Sequence, residues 1–312
     1  MISLACVQLT KETEELVCKV VRENAIGQSV YIEQFEAALC AFTGAKYTIA
    51  VCNGSMADIV LLAAMKEIYN CRQVIIPALT FIAQPNAARI NGLEIIWCDV
   101  QEDMLIDDTH LDNLLTDDNP VVLFKTDLMG RTIELEDSLF PVIEDACEAF
   151  GSNNVNQESM ASTFSFYPSH ALTTGEGGAI ITNNLRIAEM CRSIRNHGRM
   201  AEWTSEAPFN KFHFERFGFN GKMSALQAAI GLSQMATIGE RIARRKEVYK
   251  ILCNELHEHY YEGICPHGMP LRFGRMDYRD TAMCKLTEAG VECRKLFSCI
   301  PYREPYYIAR KR

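Results

Sequence analysis

The reading of the fold turns on Phe164-Ser165-Phe166-Tyr167-Pro168-Ser169-His170-Ala171-Leu172-Thr173-Thr174-Gly175-Glu176-Gly177-Gly178. Ser165, between two phenylalanines, reads as a strand residue. Gly177-Gly178 reads as a turn, and 179–182 as the strand that follows it. His170 stands five residues ahead of the Gly-Glu-Gly-Gly turn. An imidazole with an ordinary pKa of about 6.5 suits proton transfer near neutrality.

Outward from this stretch, helical periodicity alternates with short apolar runs. Segments 12–23, 32–42 and 56–68 read as helices, and 47–51, 73–76, 93–97, 121–125 and 142–144 as strands. This is an α/β pattern with a mostly parallel sheet. In such sheets ligands sit beyond the carboxyl ends of strands, where Asn53, Thr80, Asp127 and Asp145 fall. Segment 226–256 reads as one long helix. Residues 271–274, followed by a helix near 280–289, suggest a smaller C-terminal domain. The expected division is 1–240 and 241–312.

The chain has 312 residues, enough for one large domain or a large and a small one, and a formal charge of −9. That charge argues against a nucleic-acid or membrane-surface role, since either wants a clustered basic face. No run reaches the roughly 18 apolar residues of a membrane span, and the start, Met1-Ile2-Ser3-Leu4-Ala5-Cys6, lacks the basic lead of a signal peptide; a cytoplasmic protein is expected. The thirteen cysteines run from Cys6 to Cys299 without a Cys-x-x-Cys or Cys-x-Cys pair. Buried thiols in a reducing compartment are therefore expected rather than a zinc ribbon or an iron-sulfur cluster. His257 and His259, two apart on an expected helix, make a poor metal pair and read as surface residues.

The quoted stretch resembles the cofactor-lysine segment of the DegT/DnrJ/EryC1/StrS sugar aminotransferases, which are fold-type I pyridoxal phosphate enzymes. The resemblance runs from Ile26-Gly27-Gln28 and Phe35-Glu36 to Gly290-Val291-Glu292-Cys293-Arg294. It implies a mostly parallel sheet flanked by helices, a small α+β C-terminal domain that is shortened here, and pyridoxal 5′-phosphate or pyridoxamine 5′-phosphate as cofactor. In the family the position of His170 is normally the lysine that holds the cofactor covalently. A histidine there resembles the branch that dehydrates GDP-4-keto-6-deoxymannose at C3.

Gly54, Ser55 and Met56 match the family's Gly-Thr cofactor loop; small residues where a helix starts present N–H groups to a phosphate, or form an ordinary helix cap. Asp145 ends an apolar run, and the resemblance assigns it to a protonated pyridine nitrogen; a strand-end cap is the plain alternative. Glu148, where aminotransferases of the family commonly have glutamine, agrees with the dehydratase branch. Phe81 matches an aromatic that stacks on the cofactor, against the alternative of a core phenylalanine. Ser165 matches a phosphate-binding hydroxyl. Asn220, in Phe219-Asn220-Gly221-Lys222, matches an asparagine given across a dimer interface, which implies a homodimer with shared sites.

The resemblance therefore implies removal of the C3 hydroxyl from a nucleotide-linked 4-keto-6-deoxy sugar, with His170 as base and glutamate as amino donor. Two alternatives stand beside it. One is a 4-keto sugar aminotransferase in which Lys125 replaces the lost lysine. The other is a catalytically silent family member.

Overall fold

The computed structural model describes residues 2–5, 7, 9–114, 121–133, 135, 138, 140–199, 213–296 and 300–308. Met1, Cys6, Cys299, Lys311 and Arg312 lie outside them. Helices α1 (Lys11–Arg22) and α2 (Val30–Thr43) lead into β1 (Tyr47–Val51), α3 (Gly54–Tyr69), β2 (Gln73–Pro77), α4 (Ala83–Ile90), β3 (Glu94–Cys98) and α5 (Asp108–Leu114). There follow β4 (Val121–Thr126), β5 (Val142–Asp145), β6 (Ala161–Ser165), β7 (Gly178–Thr182), α6 (Leu185–Arg195), α7 (Ala225–Met235), α8 (Ile238–Leu256), α9 (Met276–Glu288) and α10 (Pro305–Ile308).

The strands form one sheet in the order β1-β7-β6-β5-β4-β2-β3. Only β7 runs against its neighbours, β1 and β6; every other pairing is parallel. Helices cover both faces, so the central strands are buried on both sides and read as continuous apolar runs. β4, Val-Val-Leu-Phe-Lys-Thr, is buried at every position. One buried cluster joins Phe164, Ala179 and Ile181 to α2 and α7; a second joins Val74, Phe124, Ile143 and Ile180 to α3 and α6. A smaller third gathers Ile75, Leu123 and Val142 around Leu111 of α5.

Strand alternation decides what the sheet offers to each face. Lys125 pairs with Glu144 and Glu144 with Ser162; in the next row Thr126 pairs with Asp145 and Asp145 with Thr163. Successive side chains point to opposite faces, so the first row looks toward the α5 side and the second toward α3.

One sequence expectation needs correction. Segment 226–256 is two helices, α7 and α8, parted at Ala236 and Thr237, where Thr237 leaves helical geometry at φ −115°, ψ 1°. No glycine or proline marks the break. It lets Gln234 of α7 and Arg241 of α8 both turn onto the loop that follows β6, at the carbonyls of Thr173 and Ala171. Residues 271–274 lie outside the helices and strands; Leu271 and Phe273 are exposed, and α9 buries none of its residues. The expected division at 240/241 falls inside α8, where Ile238 and Ile242 are buried in the same cluster. No helix among the described residues is long and apolar enough to cross a membrane.

Candidate active site

Asn53 caps α3 by accepting from the Met56 N–H at 2.8 Å, so the helix begins at Gly54, two residues earlier than its periodicity indicates. That start is a tight cradle. A Cβ on Gly54 would lie 2.7 Å from Cβ of Ser165, one on Gly178 would lie 2.7 Å from the Asn53 carbonyl, and one on Gly221 would lie 2.7 Å from Cγ of Met56. Three chain segments thus close on the first turn of a sixteen-residue helix whose dipole favours an anion. Gly54, Ser55, Met56 and Ser165 come together there as a phosphate site requires.

Asp145 ends β5 and is buried, accepting the Cys147 N–H at 3.1 Å. Beside it lies Asp58 of α3, also buried, whose Oδ1 accepts from Thr163 Oγ1 at 2.7 Å. Burial pushes both carboxyls above the ordinary range, Asp58 well above it, and their mutual repulsion adds to the shift of Asp58. Two buried carboxyls this close are not both charged. A cationic ring nitrogen would favour the ionised form of Asp145, so the pair fits a pyridinium. Asp58 was legible as the one acid within the apolar run of α3 between Ala57 and Met65, yet it was missed.

His170 follows β6 in a turn held by its own N–H on the Tyr167 carbonyl at 3.0 Å. Its ring lies near the backbone of Cys147, and its Nδ1 is buried without a partner. In a neutral imidazole, the tautomer that carries its proton on Nε2 leaves the lone pair on Nδ1. Burial, followed by the neighbouring His267 and Arg245, lowers its pKa to about 3. His267 packs against it with ring centroids 4.9 Å apart and an interplanar angle of 46°. Its own pKa is lowered to about 4 by burial, Arg245 and Arg294. Nothing local in Cys265-Pro266-His267-Gly268 signalled this contact.

Glu148 completes the group. Its Oε2 accepts from the Met129 N–H at 3.0 Å, and Met129 itself sits in the left-handed region at φ 54°. Burial outweighs that bond and raises Glu148 to about 7. Asp145, Glu148 and His170 thus meet around Cys147. Phe81 is 55% exposed, which overturns its reading as a core residue and leaves its ring free to cover a ligand. Asn220 is exposed and accepts from Lys222 Nζ at 2.5 Å.

Of the other strand-end residues, Thr80 is buried and bonded to Gln84 and Thr126. Asp127 turns to Lys125 on the opposite face from Asp145. Lys125 Nζ is buried, 2.7 Å from Glu144, 3.2 Å from Asp127 and 3.2 Å from the Ile133 carbonyl. It is not in reach of the cradle. His257 and His259 are exposed, but past the end of α8 rather than on a helix. No metal-binding group of three or more His, Cys, Asp or Glu occurs among the described residues. The cysteines described are free, but only Cys71, Cys98, Cys191, Cys253 and Cys265 are fully buried, fewer than expected.

Known proteins resemble this chain over most of its length. The chain is 30% identical to the GDP-perosamine synthase of Caulobacter vibrioides, over 88% of this chain and 78% of that protein. It is 24% identical to the GDP-4-keto-6-deoxy-D-mannose 3-dehydratase of Yersinia pseudotuberculosis, over 95% and 85%. Among solved structures, an Escherichia coli GDP-4-keto-6-deoxy-D-mannose 3-dehydratase with bound hydrated PLP shares the fold, with a TM-score of 0.88 at 21% identity, over 99% of this chain and 89% of that one. A family model matches residues 7–312, and the chain belongs to the DegT/DnrJ/EryC1/StrS aminotransferase family.

Proposed function

We propose that the protein is a pyridoxamine phosphate-dependent dehydratase that removes the C3 hydroxyl of a nucleotide-linked 4-keto-6-deoxy sugar. The observation that carries this reading is His170: the imidazole stands where the family has a lysine, with a buried, unpartnered Nδ1 beside Glu148 and Asp145. When bound, the cofactor supplies an amine for the sugar ketone and a ring that accepts an electron pair.

The chain's own groups do the rest. Gly54, Ser55, Met56 and Ser165 hold the phosphate. Asp145 keeps the ring nitrogen cationic, and Phe81 covers the ring. His170 Nδ1 takes the proton whose loss drives the hydroxyl out. In the cofactor-free site His170 holds protons too weakly for an ideal base at neutral pH. An anionic ligand beside it raises that affinity toward the useful range. Asn220 reaches the phosphate of a second copy, so the active form is a homodimer. Residues 1–240 form the cofactor-binding part and 241–312 a smaller one. Glutamate is the amino donor.

Aminotransfer is the second reading, favoured by a GDP-perosamine synthase among the relatives at 30% identity. One experiment separates the two. The protein is incubated with pyridoxal phosphate, glutamate and GDP- or dTDP-linked 4-keto-6-deoxy sugars, and the products are weighed. Loss of the hydroxyl is expected, with a fall of about 10²- to 10⁴-fold in His170→Asn. A product that has gained an amine, or an undiminished rate in His170→Asn, overturns the dehydratase reading.

A further inference from the structure

We propose that His267 is a positioning residue for His170: its ring seals the buried face of that imidazole and holds Nδ1 in the orientation and neutral form that accept a proton. The two histidines are far apart in sequence and are brought together by α8. Arg241 and Arg245, one helical turn apart, lie on the same face of that helix. Arg241 Nη2 donates to the carbonyl of Ala171, the residue after His170, at 2.8 Å; Arg245 Nη1 donates to that of Pro266, the residue before His267, at 3.2 Å.

The His267 segment is fixed from its other side as well. The Cys265 N–H donates to Ser152 Oγ at 2.7 Å, and Ser152 Oγ donates to the Gly130 carbonyl at 2.8 Å. Gly130, at φ +83°, leaves no room for a side chain, since a Cβ would lie 2.4 Å from the Cys265 carbonyl oxygen. The ring contact is thus held by anchors on both sides, and none of them is a contact between the histidines themselves.

The charged and titratable groups facing the pair are Arg245 of α8, toward both rings, and Arg294, toward His267 and Glu148. All of these disfavour a cationic imidazole except Glu148, which Arg294 faces in turn. Without the His267 ring, part of the burial that keeps His170 neutral would be lost.

The proposal deepens the dehydratase reading, and its activity arm rests on that reading; its first arm does not. The Cε1–H resonance of His170 is followed by NMR in the cofactor-free protein, assigned by its loss in His170→Asn. In the parent protein it stays neutral down to about pH 4. In His267→Ala its midpoint is expected to rise by at least about one unit, roughly tenfold in proton affinity. In His267→Phe, which keeps a ring in place, the midpoint stays low. With a keto sugar substrate, kcat should fall about tenfold or more in His267→Ala with KM within about twofold, and His267→Phe should restore most of it. Circular dichroism confirms that both variants fold. An unchanged His170 resonance and midpoint in folded His267→Ala, or identical behaviour of the Ala and Phe variants, overturns the proposal. If the parent protein dehydrates no keto sugar, the functional reading falls, and the NMR arm still decides the role of His267.

Discussion

Two buried polar clusters belong to the same sheet, one around Lys125 within its central strands and one beyond the carboxyl ends of β5 and β6, and their difference separates structure from chemistry. In the first, Lys125 is tied to Glu144, Asp127 and the Ile133 carbonyl. Glu144 in turn accepts from the Asn156 N–H and from Ser162 Oγ. Burial alone would lower the lysine, but Asp127 and Glu144 outweigh it and hold the amine above its ordinary value. An amine held charged has no lone pair to offer a carbonyl. Beyond the strand ends His170 has its Nδ1 buried without a partner, and Glu148 is raised to about 7. The first cluster pairs its charges internally, although Asp127 Oδ2 is buried without a hydrogen-bond partner; the second leaves its groups to be settled by a ligand. A perturbed group beside a cradle for a ligand points to function more strongly than one held in an internal ion pair.

The largest break in this comparison is Lys125→Met. Removing one partner of a buried ion pair leaves an uncompensated carboxylate, and such losses cost about 3–5 kcal/mol. Urea denaturation should show a loss of that size, with cofactor absorbance unchanged in whatever protein remains folded. A variant of parental stability that no longer binds pyridoxal phosphate would place Lys125 in the site and restore the aminotransferase alternative.

Glu148→Gln tests the unsatisfied cluster, with a smaller effect. The folded-state pKa of Glu148 is raised from 4.5 to about 7, so the folded protein binds the extra proton. Its contribution to stability is full below about pH 4.5 and is lost as the pH rises to about 7. Glutamine does not titrate. The stability of the variant relative to the parent should therefore climb between pH 4.5 and 7, by up to about 3 kcal/mol, and level off above. A flat difference across that window would mean that Glu148 ionises normally and that its burial is incomplete.

The sequence carried this contrast only in part. Apolar runs marked the central strands because the sheet is buried on both faces. The small residues at Gly54 and Gly178 marked a tight cradle, since close backbone approach excludes side chains. Asp145, Glu148 and His170 were readable through the family resemblance. The face to which Lys125 points was not, because it depends on the register of β4 against β5, which neither strand encodes alone. His267 was invisible for a similar reason: its place is set by Arg241 and Arg245, whose bonds join segments distant in sequence. The break at Ala236 and Thr237 carries no breaker residue, so helical periodicity ran through it.

The smallest effect sharpens the comparison from within the Lys125 cluster. Asp127 and Glu144 both face the lysine, yet one ammonium needs only one carboxylate to be neutralised. Burial pushes Asp127 well above the carboxylate range, against the pull of Lys125. Asp127 is then the neutral member, and Lys125 and Glu144 the ion pair. An asparagine has the shape of a neutral aspartic acid and keeps an oxygen for the Lys125 ammonium, so at about pH 4 Asp127→Asn should match the parent's stability to within about 1 kcal/mol. The sign is also fixed. A raised carboxyl contributes stability below its unfolded pKa and loses it as the pH rises, so the variant should gain on the parent as the pH rises from 4 to 8. Glu144→Gln, which strips the lysine of its counter-ion, should instead approach the cost of Lys125→Met. If the aspartate variant proves as damaging as the glutamate one, both carboxylates are ionised, and the cluster carries an excess negative charge that the sheet must stabilise by other means.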